Sequence, residues 1–230
     1  MRIHSMSAFV AVALVGIAAV RADAATIVVK KGTMVSTIQA GIDLAGPGDL
    51  VRVMPGVYEE SVTIPGFKPG LRVEAKGKVI VDVRSASGGP IGAGFTIYAP
   101  TAQLRGFTIR HALMAGGMTT GHGIYGLGPG IVISRCTVLN SGDCGIRIEG
   151  SSATIDRCVV RRSAITGILV NGNVPSVTRC VVDGAGTGIA AFGTDAVIAN
   201  NVVRHIRADV GIGVNGSSAT IQKNVVEDAH

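Results

Sequence analysis

The second half of the chain repeats itself, and the repeat limits the fold more than any other feature. I-S-R-C-T-V (Ile133 to Val138), I-D-R-C-V-V (Ile155 to Val160), V-T-R-C-V-V (Val177 to Val182), I-A-N-N-V-V (Ile198 to Val203) and I-Q-K-N-V-V (Ile221 to Val226) follow at steps of 22, 22, 21 and 23 residues. Gly-Ile pairs beginning at Gly123, Gly145, Gly167, Gly188 and Gly211 step in the same way. Two registers with one period make chance agreement untenable. Leu104 to Ile109 (L-R-G-F-T-I) reads as an earlier copy 29 residues before Ile133, and its excess falls in His111 to Gly121, a loop extruded from one coil.

Within each copy the apolar residues alternate, as in Ile146 and Ile148, or Ile168 and Val170. That is the period of a strand, not of a helix. Short strands punctuated by Gly, Asn and Ser and recurring every coil predict an all-β, single-stranded parallel solenoid. Equivalent residues then stack in columns along the axis, about 4.8 Å apart. Ile133, Ile155, Val177, Ile198 and Ile221 form an interior aliphatic ladder. Phe107, Cys136, Cys158, Cys180, Asn201 and Asn224 form another. Three of the four cysteines share that position, so they read as a stacked core ladder, although rung spacing would also permit one disulfide. Neither a C-x-x-C pair nor clustered His accompanies them, which argues against zinc. The recurring glycines are expected at tight backbone bends.

The front of the chain has a different pattern. Met1 to Ser7 carries Arg2, Ala8 to Val20 is apolar, and Ala22-Asp23-Ala24 has the form of a cleavage site, so residues 1–24 read as a secretory signal. Thirteen apolar residues are too few to span a bilayer. The remainder, 25–230, is one solenoid domain, with a cap and first coil over 26–66 and repeats over 104–230. Thr33 to Ala45 has apolar residues at helical spacing with Ser36 as N-cap, and Gly46-Pro47-Gly48 ends it. Strands are expected at Thr26 to Val29, Leu50 to Val53 and Val57 to Ile64. A helix laid over the first coil would cover its open edge. No comparable cap follows Val226, so self-association is expected through the open final coil.

The stretch S-T-I-Q-A-G-I-D-L-A-G-P-G-D-L-V-R-V-M-P-G-V-Y-E-E-S-V (Ser36 to Val62) resembles the N-terminal signature of the pectin-lyase-like superfamily, and the 22-residue copies resemble its repeats. The resemblance covers the whole mature chain. It implies a right-handed parallel β-helix with a capping helix, and a role among polysaccharide lyases, hydrolases, epimerases or binding proteins; it does not carry an activity with it. The grouped aspartates of the calcium-dependent lyases and the galacturonases have no counterpart. Asp143, Asp156, Asp183 and Asp195 fall in different columns.

Two outer surfaces carry candidate chemistry. Arg135, Arg157, Arg179, Asn200 and Lys223 form a basic column whose guanidinium groups suit carboxylates or sulfates of an acidic polysaccharide, or simply keep an edge solvated. The second surface holds Tyr125, Arg147, Leu169, Ala190 and Gly213 in one column and Leu127, Glu149, Asn171, Phe192 and Asn215 in the next. Tyr125, Arg147, Glu149 and Asn171 would share a patch with His122. There Arg147 could neutralise a uronate carboxylate while His122 or Tyr125 serves as acid or base in an elimination. Glycoside hydrolysis would need a second carboxylate beside Glu149. An ordinary Arg147/Glu149 surface pair is the plain alternative.

The loop supplies His111, Met114, Met118 and His122, soft donors that suit copper in a metal-accessory protein, or else a non-binding loop. Removing Arg2, Arg21 and Asp23 from 21 basic and 15 acidic residues leaves 19 and 14, so the excess of +5 belongs to the mature chain. Aromatics are only 3% of the chain and no nucleic-acid motif is present, which weighs against nucleic-acid binding. Three functions remain: binding, with lyase- or epimerase-type modification, of an acidic polysaccharide; a non-catalytic structural solenoid; or a copper-accessory protein.

Overall fold

The computed structural model describes residues 23–83, 92–112, 121–208 and 210–229. The predicted leader lies almost wholly outside them, as do Met114 and Met118. Among the described residues, no helix is long and apolar enough to cross a membrane.

Among the described residues all strand pairings are parallel and run from each coil to the next, forming three sheets of nine, eight and seven strands, here called A, B and C. The chain passes from A to B to C and back to A, so each sheet is one face of a three-sided column. The pairing register matches the sequence repeat. Ile133 pairs with Leu104 and Ile155, Val138 with Ile109 and Val160, and Ile146 with Ile124 and Ile168. Inward residues of all three sheets fill one continuous core from Val29 to Ile206. No coil has enough apolar surface to close a core alone, so stability comes from stacking.

Each coil turns at places where one residue adopts the left-handed conformation. Before sheet A these are Thr101, Ser152, Val174, Asp195 and Ser218; between A and B, Arg135, Arg157, Arg179, Asn200 and Lys223; at the end of B, His111, Asn140, Arg162, His205 and Asp228. That conformation costs an L-residue roughly 1–2 kcal/mol. The stack offsets it at the A/B corner, where Arg135, Arg157 and Arg179 donate their backbone N–H to the carbonyls of Asp156, Thr178 and Ala199 on the next coil at 3.0 to 3.1 Å.

The glycines expected at tight bends have another reason to be there. Gly123, Gly145, Gly167, Gly188 and Gly211 do not have positive φ. A Cβ on any of the five would instead collide with the Cγ1 of Val138, Val160, Val182, Val203 or Val226 respectively. In this column the repeat needs missing volume, not a special backbone angle.

Cys136, Cys158 and Cys180 are buried, free and stacked. Asn201 continues their column: its Oδ1 accepts the Cys180 N–H at 2.8 Å and its Nδ2 donates to the Val177 carbonyl at 2.9 Å. Asn224 repeats the pattern one rung on, its Oδ1 accepting the Asn201 N–H at 2.9 Å.

At the N-terminal end the helix is Ile38–Leu44, capped by Thr37 and not by Ser36. It packs Ile38 and Ile42 onto the first coil, and Gly41 allows the close approach because a Cβ there would press on Val29 and Val51. Glu60 accepts the N–H groups of Ile38 and Gln39 at 2.8 and 3.0 Å, which gives the second acidic residue of the Glu59-Glu60 pair a capping role. Buried Lys68 closes the other end on the carbonyls of Ile42 and Ala45. The strand expected over Val57 to Ile64 is two strands, Gly56–Tyr58 in sheet B and Val62–Ile64 in sheet C, because the chain turns a corner between them.

Candidate functional site on sheet C

Strand alternation sends Ile124, Ile146 and Ile168 inward, so Tyr125, Arg147 and Leu169 must face out on consecutive rungs. Glu149 pairs with Asn171, and Asn171 with Phe192, in the next outward column. The structure therefore brings Tyr125, Arg147, Glu149 and Asn171 onto one face. Arg135, Arg157 and Arg179 lie at the A/B corner, on the edge opposite that face. Two of them are partly neutralised, since Asp156 accepts from Arg157 Nη1 at 3.2 Å and from Arg179 Nε at 2.7 Å.

Arg147 binds Glu149 through Nε, at 2.8 Å from Oε1, and through Nη2. Its guanidinium also stands 5.8 Å from the centroid of the Tyr125 ring. Burial raises the Tyr125 pKa above its ordinary value and the charge of Glu149 adds to it, so the phenol keeps its proton at neutral pH.

His122 does not meet the expectation of a group that touches substrate. It is only 2% exposed and lies against Tyr125 with ring centroids 5.1 Å apart. Its Nδ1 accepts the Cys144 N–H at 3.3 Å, so the neutral ring carries its proton on Nε2, which faces Asp143 Oδ2 at 3.8 Å. Burial pushes its pKa below the usual value, against the opposing charge of Asp143. His122 thus packs beneath Tyr125 as a neutral support.

Asp143 and Cys144 are site residues that sequence reasoning missed. The Cys144 thiol donates to Asp143 Oδ1 at 3.2 Å, and burial, followed by the Asp143 charge, pushes its pKa up to about 12. His122, Asp143 and Cys144 place donor atoms within 4.8 Å of one another. They do not fit a metal as arranged. The His122 lone pair is committed to an amide N–H, and the thiol proton to Asp143. The period could have found this contact, since His122 and Cys144 are one 22-residue step apart. Of the copper donors, Met114 and Met118 lie outside the described residues, and His111 Nδ1 is 2.9 Å from Asp82 Oδ1.

Farther along the same face, Leu169, Ala190, Phe192, Val210, Val214 and Asn215 help line a shallow, mostly apolar groove of about 350 Å³. In the other direction Tyr98 is exposed at the end of the preceding rung. Sheet C thus carries a polar centre flanked by apolar and aromatic surface.

Comparison with known proteins bears on the fold. The family described as right handed beta helix region matches residues 122–230. None of the curated proteins matches the chain in sequence. Among solved structures, the pectate lyase Pel9A is similar with a TM-score of 0.62 at 16% identity, over 86% of this chain and 59% of that one. A pectin methylesterase from Aspergillus niger gives 0.52 at 13% identity, over 89% and 85%. The carrot pectin methylesterase gives 0.51 at 12%, over 90% and 83%. The chain therefore spans less than two thirds of the pectate lyase's length. At such identities the likeness is one of fold, and the fold is the right-handed parallel β-helix of the pectin-lyase-like kind.

Proposed function

We propose that this right-handed parallel β-helix binds an acidic polysaccharide along the outer face of sheet C, centred on Tyr125, Arg147, Glu149 and Asn171. The half-used guanidinium of Arg147 carries the reading. Glu149 occupies its Nε and Nη2, and the Nη1 edge remains for a uronate carboxylate. Glu149 and Asn171 offer an acceptor and an amide for sugar hydroxyls, while Tyr98 and Phe192 offer apolar surface to sugar ring faces. A polymer laid along the axis would meet one rung about every 4.8 Å. The pectin-acting names of the solved structures that share the fold support the choice of a uronate polymer. Arg135, Arg157 and Arg179 would touch only a polymer that wrapped round to the opposite corner, so they stand outside this footprint.

Binding has more support here than turnover. In an elimination, Arg147 would neutralise the carboxylate and the protonated Tyr125 phenol would serve the leaving oxygen. His122 is too buried to act as the base, and Glu149 would have to do so from within its bond to Arg147. Export also belongs to the reading, supported by the leader pattern over 1–24.

Affinity electrophoresis through polygalacturonate, alginate and a neutral glucan tests the proposal. The mature chain should be slowed by a uronate polymer and not by the glucan, and Arg147→Ala should lose at least tenfold in affinity. Equal migration in all three gels, or an Arg147→Ala variant slowed as much as the wild type, would overturn it. Ultraviolet absorbance of unsaturated uronate in the same mixtures reads elimination separately.

A further inference from the structure

From Thr108–Arg110 onward, the end of each sheet B strand breaks the alternation of the rest. A left-handed residue follows the last outward position, so two consecutive positions face solvent before the chain turns in again. Leu139 and Asn140 do this on one rung, Arg161 and Arg162 on the next, then Asp183 and Gly184, then Arg204 and His205. The device doubles the density of outward groups along one edge of the column.

On the last three of those rungs the doublets line a shallow, open pocket of about 490 Å³ formed by Arg161, Arg162, Asp183, Gly184, Arg204 and His205. Asp183 accepts from Arg204 Nη2 at 3.0 Å and lies 2.8 Å from His205 Nδ1, which fixes both groups at one wall. Arg204 Nε is buried with no hydrogen-bond partner. At the other wall Arg161 and Arg162 are exposed, and among the described residues nothing pairs with their side chains. Gly184 adds no side chain between the walls, leaving a gap two rungs tall. Three guanidinium groups and an imidazole thus stand around Asp183, with Asp228 Oδ2 3.7 Å from His205 Nε2 at the outer edge.

The same clamp occurs once more on this sheet without the extra cations. Asp82 holds Arg110 Nε at 2.8 Å and His111 Nδ1 at 2.9 Å, but the preceding rung, the counterpart of the one that carries Arg161 and Arg162, ends there in Tyr58, Glu59 and Glu60. The Asp–Arg–His clamp is therefore a way of orienting side chains on a β-helix edge. The arginine pair is an addition of the second copy, and among the described residues no carboxylate pairs with it.

We propose that this cavity binds the tetrahedral oxyanion of a sulfated or phosphorylated glycan. A planar carboxylate takes one guanidinium fork, whereas a tetrahedral group presents oxygens to several walls at once. The site lies on sheet B and is independent of the sheet C footprint.

The test uses the full mature chain at fixed ionic strength. Calorimetric titration with inorganic sulfate and phosphate, and retention on a sulfated glycan, should both show binding. Arg161→Gln/Arg162→Gln should weaken both at least tenfold while leaving retention on polygalacturonate unchanged. Arg52→Ala, an exposed arginine on sheet A, controls for general charge, and circular dichroism checks the fold of each variant. Absence of sulfate and phosphate binding to the wild type overturns the proposal. So does equal binding by the double variant, or an equal loss in Arg52→Ala. Loss of polygalacturonate retention together with sulfate binding would show that the pair acts only as diffuse charge, which also overturns it.

Discussion

The two ends of the solenoid treat the same kind of residue in opposite ways. At the N-terminal end Ile42 is fully buried between the helix and the first coil, and Glu60 and Lys68 tie the helix down at both termini. In the last coil Ile221 is 53% exposed and Val226 46%, although each continues a column whose previous members, Ile198 and Val203, are fully buried. Sequence and register are the same along these columns, and only the presence of a covering layer differs. The fold's stability therefore resides between coils, and a residue's contribution is set by its neighbour more than by its identity.

The largest test of that contrast is truncation at each end. Ile42→Ala should cost about 2–5 kcal/mol, because it removes fully buried methylenes from beneath a fixed helix. Ile221→Ala should cost under about 1 kcal/mol, since half of that side chain is already in water. Urea unfolding monitored by circular dichroism gives both values. Similar costs would mean that the last coil is covered in solution.

A finer test uses one glycine column. In mid-solenoid, a Cβ on Gly145 would meet Val160 Cγ1 and also the Gly167 carbonyl at 2.7 Å. On Gly211 the three nearest atoms all belong to the side chain of exposed Val226. Gly145→Ala should therefore destabilise by about 1–3 kcal/mol, the range for forced overpacking, and Gly211→Ala by clearly less. Equal losses would show that the column depends on backbone conformation and not on space.

The repeat made these columns legible before any coordinates, because a period of 22 residues fixes which side chains stack. Ile133 over Ile155, the cysteine column and the Tyr125/Arg147 face all follow from counting. What counting missed belongs to the corners. Arg135, Arg157 and Arg179 occupy left-handed positions that propensity would assign to Gly or Asn, and only the hydrogen bonds of the stack make those positions tolerable. The missed cluster was half legible: the period places Cys144 one step from His122, whereas strand alternation says nothing about how Asp143 turns at the corner. The Arg161-Arg162 and Arg204-His205 doublets did leave a signal. Each places two polar residues in succession where the copy had alternated.

The smallest effect on stability separates two accounts of the last coil. Ile221 and Val226 sit at the same end, beside a shallow cavity of about 440 Å³ that they line with Ile212 and Asn224. A second copy laid on this surface would cover both side chains, and the edge strand would gain backbone partners. Ile221→Lys should change the unfolding free energy of dilute protein by under about 0.5 kcal/mol, because the position is already half in water. At high concentration the wild type should sediment as an associated species and Ile221→Lys as a monomer, since a buried unpaired ammonium cannot be carried into an apolar contact. A wild type that stays monomeric throughout that range would leave Ile221 and Val226 as exposed as they stand in the fold.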